Sequence, residues 1–371
     1  MTRMQKANKK YTVLLLSAPI GSGHKLAAEA LEQALGEYSE VRVIHGNIFD
    51  FFPHCLGTAF LSTYLWVLKC CPWLYKLAYS WGNKQGGSLW LRGLLNRLLA
   101  ALGRCYINKV NPDAVVATHA TPAGIIGYYK QQHPLWLGAV VTDFTIHRWW
   151  VCDGVDTYFI ADELLRRKLG TTAEVQAFGI PVRKQFLHHD KAQCRTRFGW
   201  SESERVCLLM GGGEGLLPME KIIAALQKAK VANLRLVAVT GHNEKLAESL
   251  RAKYGDSMEI YGFREDVPQL MAGADMVISK AGGLTSAEVL ASDIELVIYK
   301  PLPGQEEGNA AFLHHYCGAF VAHNIDALVQ YIKTEKPKPE QIAARRAHAH
   351  PQAAQEIAAY IMRILQGADA R

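Results

Sequence analysis

The sequence predicts two doubly wound α/β domains in tandem, and three observations carry that prediction. Short apolar runs end in glycine-rich turns and lead into helical stretches, the signature of strand–helix alternation around a parallel sheet. The pattern occurs twice, and the polar, charged stretch from His188 to Arg205 between the two sets reads as their linker. The 371 residues are enough for two domains that each bury a core.

In the first set, Thr12 to Ser17 reads as a buried strand closed by Ala18-Pro19 and a Gly21-Ser22-Gly23 turn. A helix follows from Lys25 to Leu35, with Leu26, Ala27, Ala30, Leu31 and Ala34 on one face. Val41 to Ile44, Ala114 to Ala117, Gly138 to Thr142 and Thr157 to Ile160 read as further strands. The second set opens with Val206 to Met210, which runs into Gly211-Gly212-Gly213, and Leu234 to Thr240, which runs into Gly241. Met258 to Tyr261, Met276 to Ser279 and Leu296 to Tyr299 continue it. These units divide the chain into a first domain over 1–190, a second over 191–350 and a closing helix, 351–371, expected to return to the first. Ligands of such sheets bind beyond the carboxyl ends of the strands, where the glycine turns fall. A cleft between the domains is expected.

Hydrophobic residues at 49% and charged residues at 20% exclude a disordered or fibrous chain. The eight cysteines form no CxxC pair and no framework, so neither disulfides nor a zinc site is expected, and a reduced cytosolic setting fits. The apolar run Val13 to Leu16 is too short for a signal-peptide core. The stretch from Phe51 to Leu68 is at the lower limit for a membrane span and is interrupted by Pro53, His54 and hydroxyls, so it is not read as one.

The net charge of +7 lies in a single segment. Between Asp50 and Asp113 there is no acidic residue, while Lys69, Lys76, Lys84, Arg92, Arg97, Arg104 and Lys109 are basic. Removing these seven from the 41 basic residues leaves 34, equal to the 34 acidic ones. Four tryptophans, Trp66, Trp73, Trp81 and Trp90, fall in the same window. Leu91, Leu94, Leu95, Leu98, Leu99 and Leu102 recur at helical spacing, with Arg92, Gly93, Asn96, Arg97 and Arg104 on the other face. Apolar faces, aromatic rings and unopposed Lys/Arg suit an anionic membrane interface, where each basic side chain contributes about 1 kcal/mol. The plainer reading is helices packed on a sheet. Nucleic acid ranks lower, because the interleaved residues are long aliphatic runs.

Four turns carry candidate chemistry. In Gly21-Ser22-Gly23-His24-Lys25, His24 falls at a helix N-terminus, whose dipole disfavours imidazolium and favours a neutral ring able to take a proton from an alcohol. The alternative is a solvated His on an ordinary turn. In Ser279 to Thr285, free N–H groups at a helix start suit a diphosphate, and Glu288 lies one turn on, in reach of ribose hydroxyls. A capped helix whose Glu interacts with the dipole is the alternative. Pro303 to Asn309 combines Gln305 and Glu306, an amide and a carboxylate suited to sugar hydroxyls. Asp143, just past a buried strand in Thr142 to Trp150, is placed to orient His24, to act as the base, or to cap the next helix.

Together these motifs resemble glycosyltransferase family 28, in its diacylglycerol glycosyltransferase branch. The resemblance rests on GSGHKLAAEAL (21–31), VVTDFTIHRWW (140–150), GVDTYFIADE (154–163) and GIPVRKQF (179–186) in the first half. In the second half it rests on MGGGEG (210–215), GFREDVPQLMAGADMVISKAGGLTSAE (262–288) and YKPLPGQEEGNA (299–310). It implies a GT-B fold of two Rossmann-like domains, an inverting mechanism and a UDP-sugar donor held mainly by the second domain. By position it implies Gly212 and Gly213 at the diphosphate, and Phe263 at the uracil. Gly283, Leu284 and Thr285 would also hold the diphosphate, Glu288 the ribose, and Gln305 and Glu306 the sugar. His24 falls on the family's proposed base. Relatives often have three glycines where this chain has Gly-Ser-Gly, so Ser22 adds a side chain near the acceptor. Gln305-Glu306 replaces the glutamine pair of the N-acetylglucosaminyltransferases in the family, arguing for a UDP-glucose or UDP-galactose donor. The acceptor implied is diacylglycerol, reached at the cytoplasmic face of the membrane with Trp66, Lys69, Trp73, Lys76, Trp81, Trp90, Arg92 and Arg97 as contacts. No metal or other cofactor is expected, since no Asp-x-Asp pair is present. A polyprenyl-linked acceptor, a nucleotide-sugar epimerase and a non-catalytic sensor are the rival readings.

Overall fold

A computed structural model describes residues 10–18, 22–51, 89–187, 189–334 and 336–367. Gly21, Trp66, Lys69, Trp73, Lys76 and Trp81, and the 51–68 stretch beyond Phe51, lie outside the described residues. Trp90 lies on a described helix, but its side chain is not described. Among the described residues, no helix is long and apolar enough to cross a membrane. The chain divides into one unit over 1–183 with 352–371 and another over 184–351.

The first unit is built on a parallel sheet of β1 (Tyr11–Ser17), β2 (Val41–Asn47), β3 (Ala114–Ala117), β4 (Trp136–Val140), β5 (Thr157–Phe159) and β6 (Glu174–Gln176). Their spatial order is β2-β1-β3-β4-β5-β6. Val13 to Leu16 and Ala114 to Ala117 are completely buried, which is why these strands read as apolar runs rather than alternating ones. The helix Ser22–Leu35 turns Ala27, Ala28, Ala30, Leu31, Ala34 and Leu35 inward. The closing helix Ala353–Leu365 packs on it and buries Ile357 and Ile361 in the same core. Tyr360 reaches from that helix to Glu174 on β6 and, at 3.3 Å, to the hydroxyl of Thr157 on β5.

The second unit repeats the design with β7 (Arg205–Met210), β8 (Leu234–Val239), β9 (Glu259–Tyr261), β10 (Met276–Ser279), β11 (Glu295–Tyr299) and β12 (Phe320–Ala322). Here the order is β12-β11-β10-β7-β8-β9, all parallel. Counted from β7 this is the 3-2-1-4-5-6 order of dinucleotide-binding sheets. The edge strands β6 and β12 carry no periodicity a sequence could reveal, since each has only three residues.

Two readings change. The polar stretch from His188 to Arg205 is not an extended linker: it holds the helix Lys191–Phe198, started by Asp190, whose side chain accepts the Gln193 N–H at 2.8 Å. Arg195 is buried there, donating to Gly273 O at 3.0 Å and to Asp275. The turn Lys184–Phe186 also packs on the second unit, against the helix Val267–Gly273, which moves the boundary ahead of residue 184.

The second change concerns the helix Leu89–Val110. Its inner face is not the leucine face. Asn96 packs against Gly124, Gly103 against Phe51, and Ala100 and Ile107 are buried. Small residues let this helix approach the Ala120–Lys130 helix closely. Leu94, Leu95, Leu98 and Leu102 consequently face outward, between 42% and 56% exposed, beside exposed Arg97, Arg104 and Lys109.

Candidate active site

In a doubly wound sheet the crevice opens where the chain leaves one strand in opposite directions. In the first unit that point lies between β1 and β3, and His24 spans it. The ring sits in the first turn of the Ser22–Leu35 helix, half-buried. Its Nδ1 lies 2.8 Å from the backbone oxygen of Thr118, just past β3, and 2.8 Å from Oγ1 of Thr142, just past β4. Thr118 Oγ1 donates back to the His24 carbonyl at 3.0 Å. A carbonyl oxygen can only accept, so Nδ1 carries the hydrogen and the neutral ring keeps its lone pair on Nε2. Burial pushes the His24 pKa down from 6.5 to about 4, against the Thr118 carbonyl, which favours the charged ring. The site therefore presents an uncharged imidazole with its orientation fixed from behind.

Asp143 is 3% exposed at the end of β4. It does not cap the next helical turn, Arg148–Trp150: His147 does, its Nδ1 accepting the Trp149 N–H at 3.2 Å. The Nδ1 side of His24, where an orienting carboxylate would bind, is held by Thr118 and Thr142. Arg92 is also placed differently from the basic-face reading. Its Nη1 donates to the carbonyls of Arg148, Trp149 and Val151 at 3.2, 3.4 and 3.0 Å, so it clamps the turn that follows the Asp143 loop.

In the second unit the equivalent point lies between β7 and β10. The loop after β7 turns at Gly212, φ +71°, a conformation that favours glycine. It packs so tightly on the loop after β8 that a Cβ on Gly241 would stand 2.4 Å from Gly213 O. Lys280, directly after β10, reaches across: its Cε lies 3.7 Å from where a Cβ on Gly212 would be. Its Nζ is paired with Glu306 Oε1, and both side chains are only 12% exposed. The other Glu306 oxygen accepts the Leu302 N–H at 2.8 Å.

The helix Gly283–Ala291 begins at Gly282 with no side-chain cap, so the N–H groups of its first turn, at Gly283, Leu284 and Thr285, point into the same region. Glu288 is buried one turn further along. Gln305 and Glu306 open the helix Gln305–Tyr316, which is pinned to the loop by Asn309 Nδ2 donating to Ala281 O at 3.1 Å. Phe263 is 57% exposed and lies parallel to His242, ring centroids 4.4 Å apart, leaving one aromatic face open. The residues assigned to diphosphate and sugar thus gather at one sheet end. Sequence reasoning passed over Thr118, Lys280 and His242. The first is hidden because its backbone does the work, and Lys280 because its partner is 26 residues away.

Two parallel doubly wound units with ligand-type loops at both switch points define the GT-B fold. The Acinetobacter baumannii MurG structure superposes with a TM-score of 0.65 at 17% identity, covering 95% of this chain and 99% of that one. The structure of TcCGT1 in complex with UDP superposes at 0.61 and 11% identity, over 95% and 99%. The family model described as monogalactosyldiacylglycerol (MGDG) synthase matches residues 24–182, and that of the glycosyltransferase family 28 C-terminal domain matches residues 206–361. Processive diacylglycerol beta-glucosyltransferases are similar along most of their length. That of Bacillus pumilus (strain SAFR-032) is 28% identical over 88% of this chain and 86% of its own, and that of Bacillus subtilis (strain 168) 27% over 88% and 87%. The chain belongs to glycosyltransferase family 28, and it is a UDP-sugar-dependent glycosyltransferase.

Proposed function

We propose that the protein transfers a hexose, glucose or galactose, from a UDP-sugar to diacylglycerol, inverting the anomeric centre to give a β-glycolipid at an anionic membrane surface on the cytoplasmic face. The observation that carries this reading is the His24 ring, whose Nε2 lone pair is freed by the Nδ1 contact to the Thr118 carbonyl. The names of the similar bacterial enzymes support the acceptor.

In the proposed step the acceptor hydroxyl gives its proton to His24 Nε2 while its oxygen forms a bond to C1 of the sugar. The bond from C1 to the diphosphate oxygen breaks, and UDP leaves with the electron pair. Asp143, next in the chain to Thr142, supplies a negative charge that favours the imidazolium so formed. The negative charge of UDP is met by the free N–H groups at Gly283, Leu284 and Thr285, by the backbone at Gly212 and Gly213, and by Lys280. Glu288 holds the ribose, Phe263 stacks on the uracil, and Gln305 and Glu306 take sugar hydroxyls. The scheme needs no metal. A base with a pKa of about 4 in the free protein is neutral at physiological pH but weak. The anionic donor strengthens it on binding, by the ordinary effect of a nearby opposite charge.

The outward leucines of the Leu89–Val110 helix support membrane docking. An apolar strip flanked by Arg97, Arg104 and Lys109 fits the interface of an anionic bilayer. Arg92, clamped on backbone carbonyls, holds the acceptor-side turn rather than lipid.

The test is an assay with labelled UDP-glucose, UDP-galactose and UDP-N-acetylglucosamine in turn, with diacylglycerol in anionic vesicles. Label in the lipid from glucose or galactose is expected. Transfer to polyprenyl phosphate alone, or sugar-nucleotide interconversion with no acceptor, would overturn the reading.

A further inference from the structure

The ring of His24 has a neighbour that the proposed transfer step does not use. His119 follows Thr118 at the end of β3, and its ring stands edge-to-face against His24, centroids 4.7 Å apart and planes at 88°. Its Nδ1 accepts the Thr121 N–H at 3.1 Å and so caps the helix Ala120–Lys130. A backbone N–H can only donate, so this Nδ1 carries the lone pair and the neutral ring carries its hydrogen on Nε2. His24 is the reverse, with its hydrogen on Nδ1. Each ring is thus locked by backbone into a tautomer opposite to the other's.

The lock on His119 also keeps it uncharged. Protonation would remove the lone pair that caps the helix and place a cation at the positive end of its dipole. Burial acts in the same direction, and His24 adds to it. Two rings whose centroids are 4.7 Å apart thus carry an Nε2 that accepts a hydrogen and an Nε2–H that donates one. An alcohol oxygen has the matching equipment, one hydrogen to give and two lone pairs.

We propose that His119 is an acceptor-positioning residue: its Nε2–H donates to a lone pair of the same acceptor hydroxyl whose proton His24 Nε2 takes. The second lone pair of that oxygen is left to attack the sugar. This rests on the reading of His24 as the base. The two bonds together fix both the distance and the rotation of the hydroxyl, which a single base contact does not, and such alignment is worth up to about 100-fold in rate.

Two substitutions separate this role from a structural one. In His119→Asn the side-chain oxygen replaces Nδ1 and keeps the helix cap, but no donor reaches the Nε2 position. In His119→Gln the amide N–H replaces the Nε2–H donor, but the cap is lost. Transfer of labelled sugar to dioleoylglycerol in phosphatidylglycerol vesicles, thermal unfolding and UDP affinity are measured for both. The Asn variant is expected to unfold with wild-type protein and bind UDP normally, yet lose about 10- to 100-fold in kcat/KM for the acceptor. The Gln variant is expected to unfold earlier and yet recover to within about 10-fold of wild-type turnover. If activity follows stability instead, with Asn active and Gln impaired, His119 is only a cap and the inference fails. His24→Ala measured alongside keeps the two ideas apart. An active His24→Ala protein sinks the base reading itself. An inactive one beside a fully active His119→Asn protein sinks only the positioning role.

Discussion

The two units place a contact across the same topological point, and the contents of the two contacts differ. In the first unit His24 meets Thr118 across the β1–β3 gap, and the neighbours Thr142 and His119 are uncharged. In the second, Lys280 lies against Gly212 across the β7–β10 gap and carries a half-buried ion pair with Glu306 beside an uncapped helix. An ion pair drawn out of water costs more to desolvate than a neutral hydrogen bond, so it contributes little to stability by itself. Its position at the ligand end of the sheet marks the side that meets charge. One scaffold thus carries an uncharged cluster at one switch point and an ion pair at the other, by choice of the few side chains that follow the strands, and the two suit the alcohol and the anion of the proposed reaction.

The strongest way to break this comparison is His24→Ala. Loss of a general base should lower turnover about 10²- to 10⁴-fold with UDP affinity unchanged, as read by titration calorimetry and the lipid assay. Full activity would remove the neutral-base half. Lys280→Met probes the charged half. We expect about a 10²-fold loss in kcat, the scale of one lost electrostatic contact to the leaving group, and weaker UDP binding. An unchanged kcat would reduce Lys280 to a support for Glu306.

Ile357→Ala tests whether the closing helix is integral to the first unit. Its completely buried side chain predicts a loss of about 2–5 kcal/mol in that unit's unfolding, with UDP affinity retained. Stability against pH gives a smaller effect of known sign. His24 is held at about 4, below its ordinary 6.5, so the unfolded chain binds more protons between those values. The contribution is fully present above pH 6.5 and is lost as pH falls toward 4, by up to about 3 kcal/mol, and His24→Gln should flatten that slope. In activity, kcat/KM should fall only near pH 4, while the acid limb of kcat should lie higher because the bound anion strengthens the base. Coincident limbs would mean that donor and base do not sense each other. The smallest effect is at the membrane. Replacing Arg97, Arg104 or Lys109 by Gln should weaken binding to phosphatidylglycerol vesicles by about 1 kcal/mol each, and less in high salt.

Much of the fold is legible in the amino-acid sequence. The runs Val13–Leu16 and Ala114–Ala117 announce themselves because a strand covered on both faces must be apolar throughout. Gly212 marks a turn at positive φ, and Gly241 a turn where a Cβ would meet Gly213 O. The features that escape a sequence reading do so for physical reasons of their own. Periodicity finds the leucine face of the Leu89–Val110 helix but not the side to which it turns, and Ala100 and Gly103 weigh little in any count of hydrophobicity. Packing rewards close approach instead: Gly103 meets Phe51 and Ala100 is buried, while Leu94, Leu95, Leu98 and Leu102 turn out. The polar stretch before Arg205 resembles a linker because Arg195 counts as surface, yet Asp275 and Gly273 O receive its guanidinium inside.

By itself, then, the sequence determined most strands of the two sheets, their glycine turns and the identity of the candidate base, because periodicity and turn chemistry are local. Only the tertiary structure decided the state of that base. The hydrogen on Nδ1 and the opposite tautomer of His119 come from Thr118, Thr142 and Thr121, and the low proton affinity comes from burial. Thr118 is 94 residues from His24 along the chain, and Thr142 118. A hydrogen bond between residues so far apart has no sequence spacing of its own. It exists only because β1, β3 and β4 share one end of one sheet.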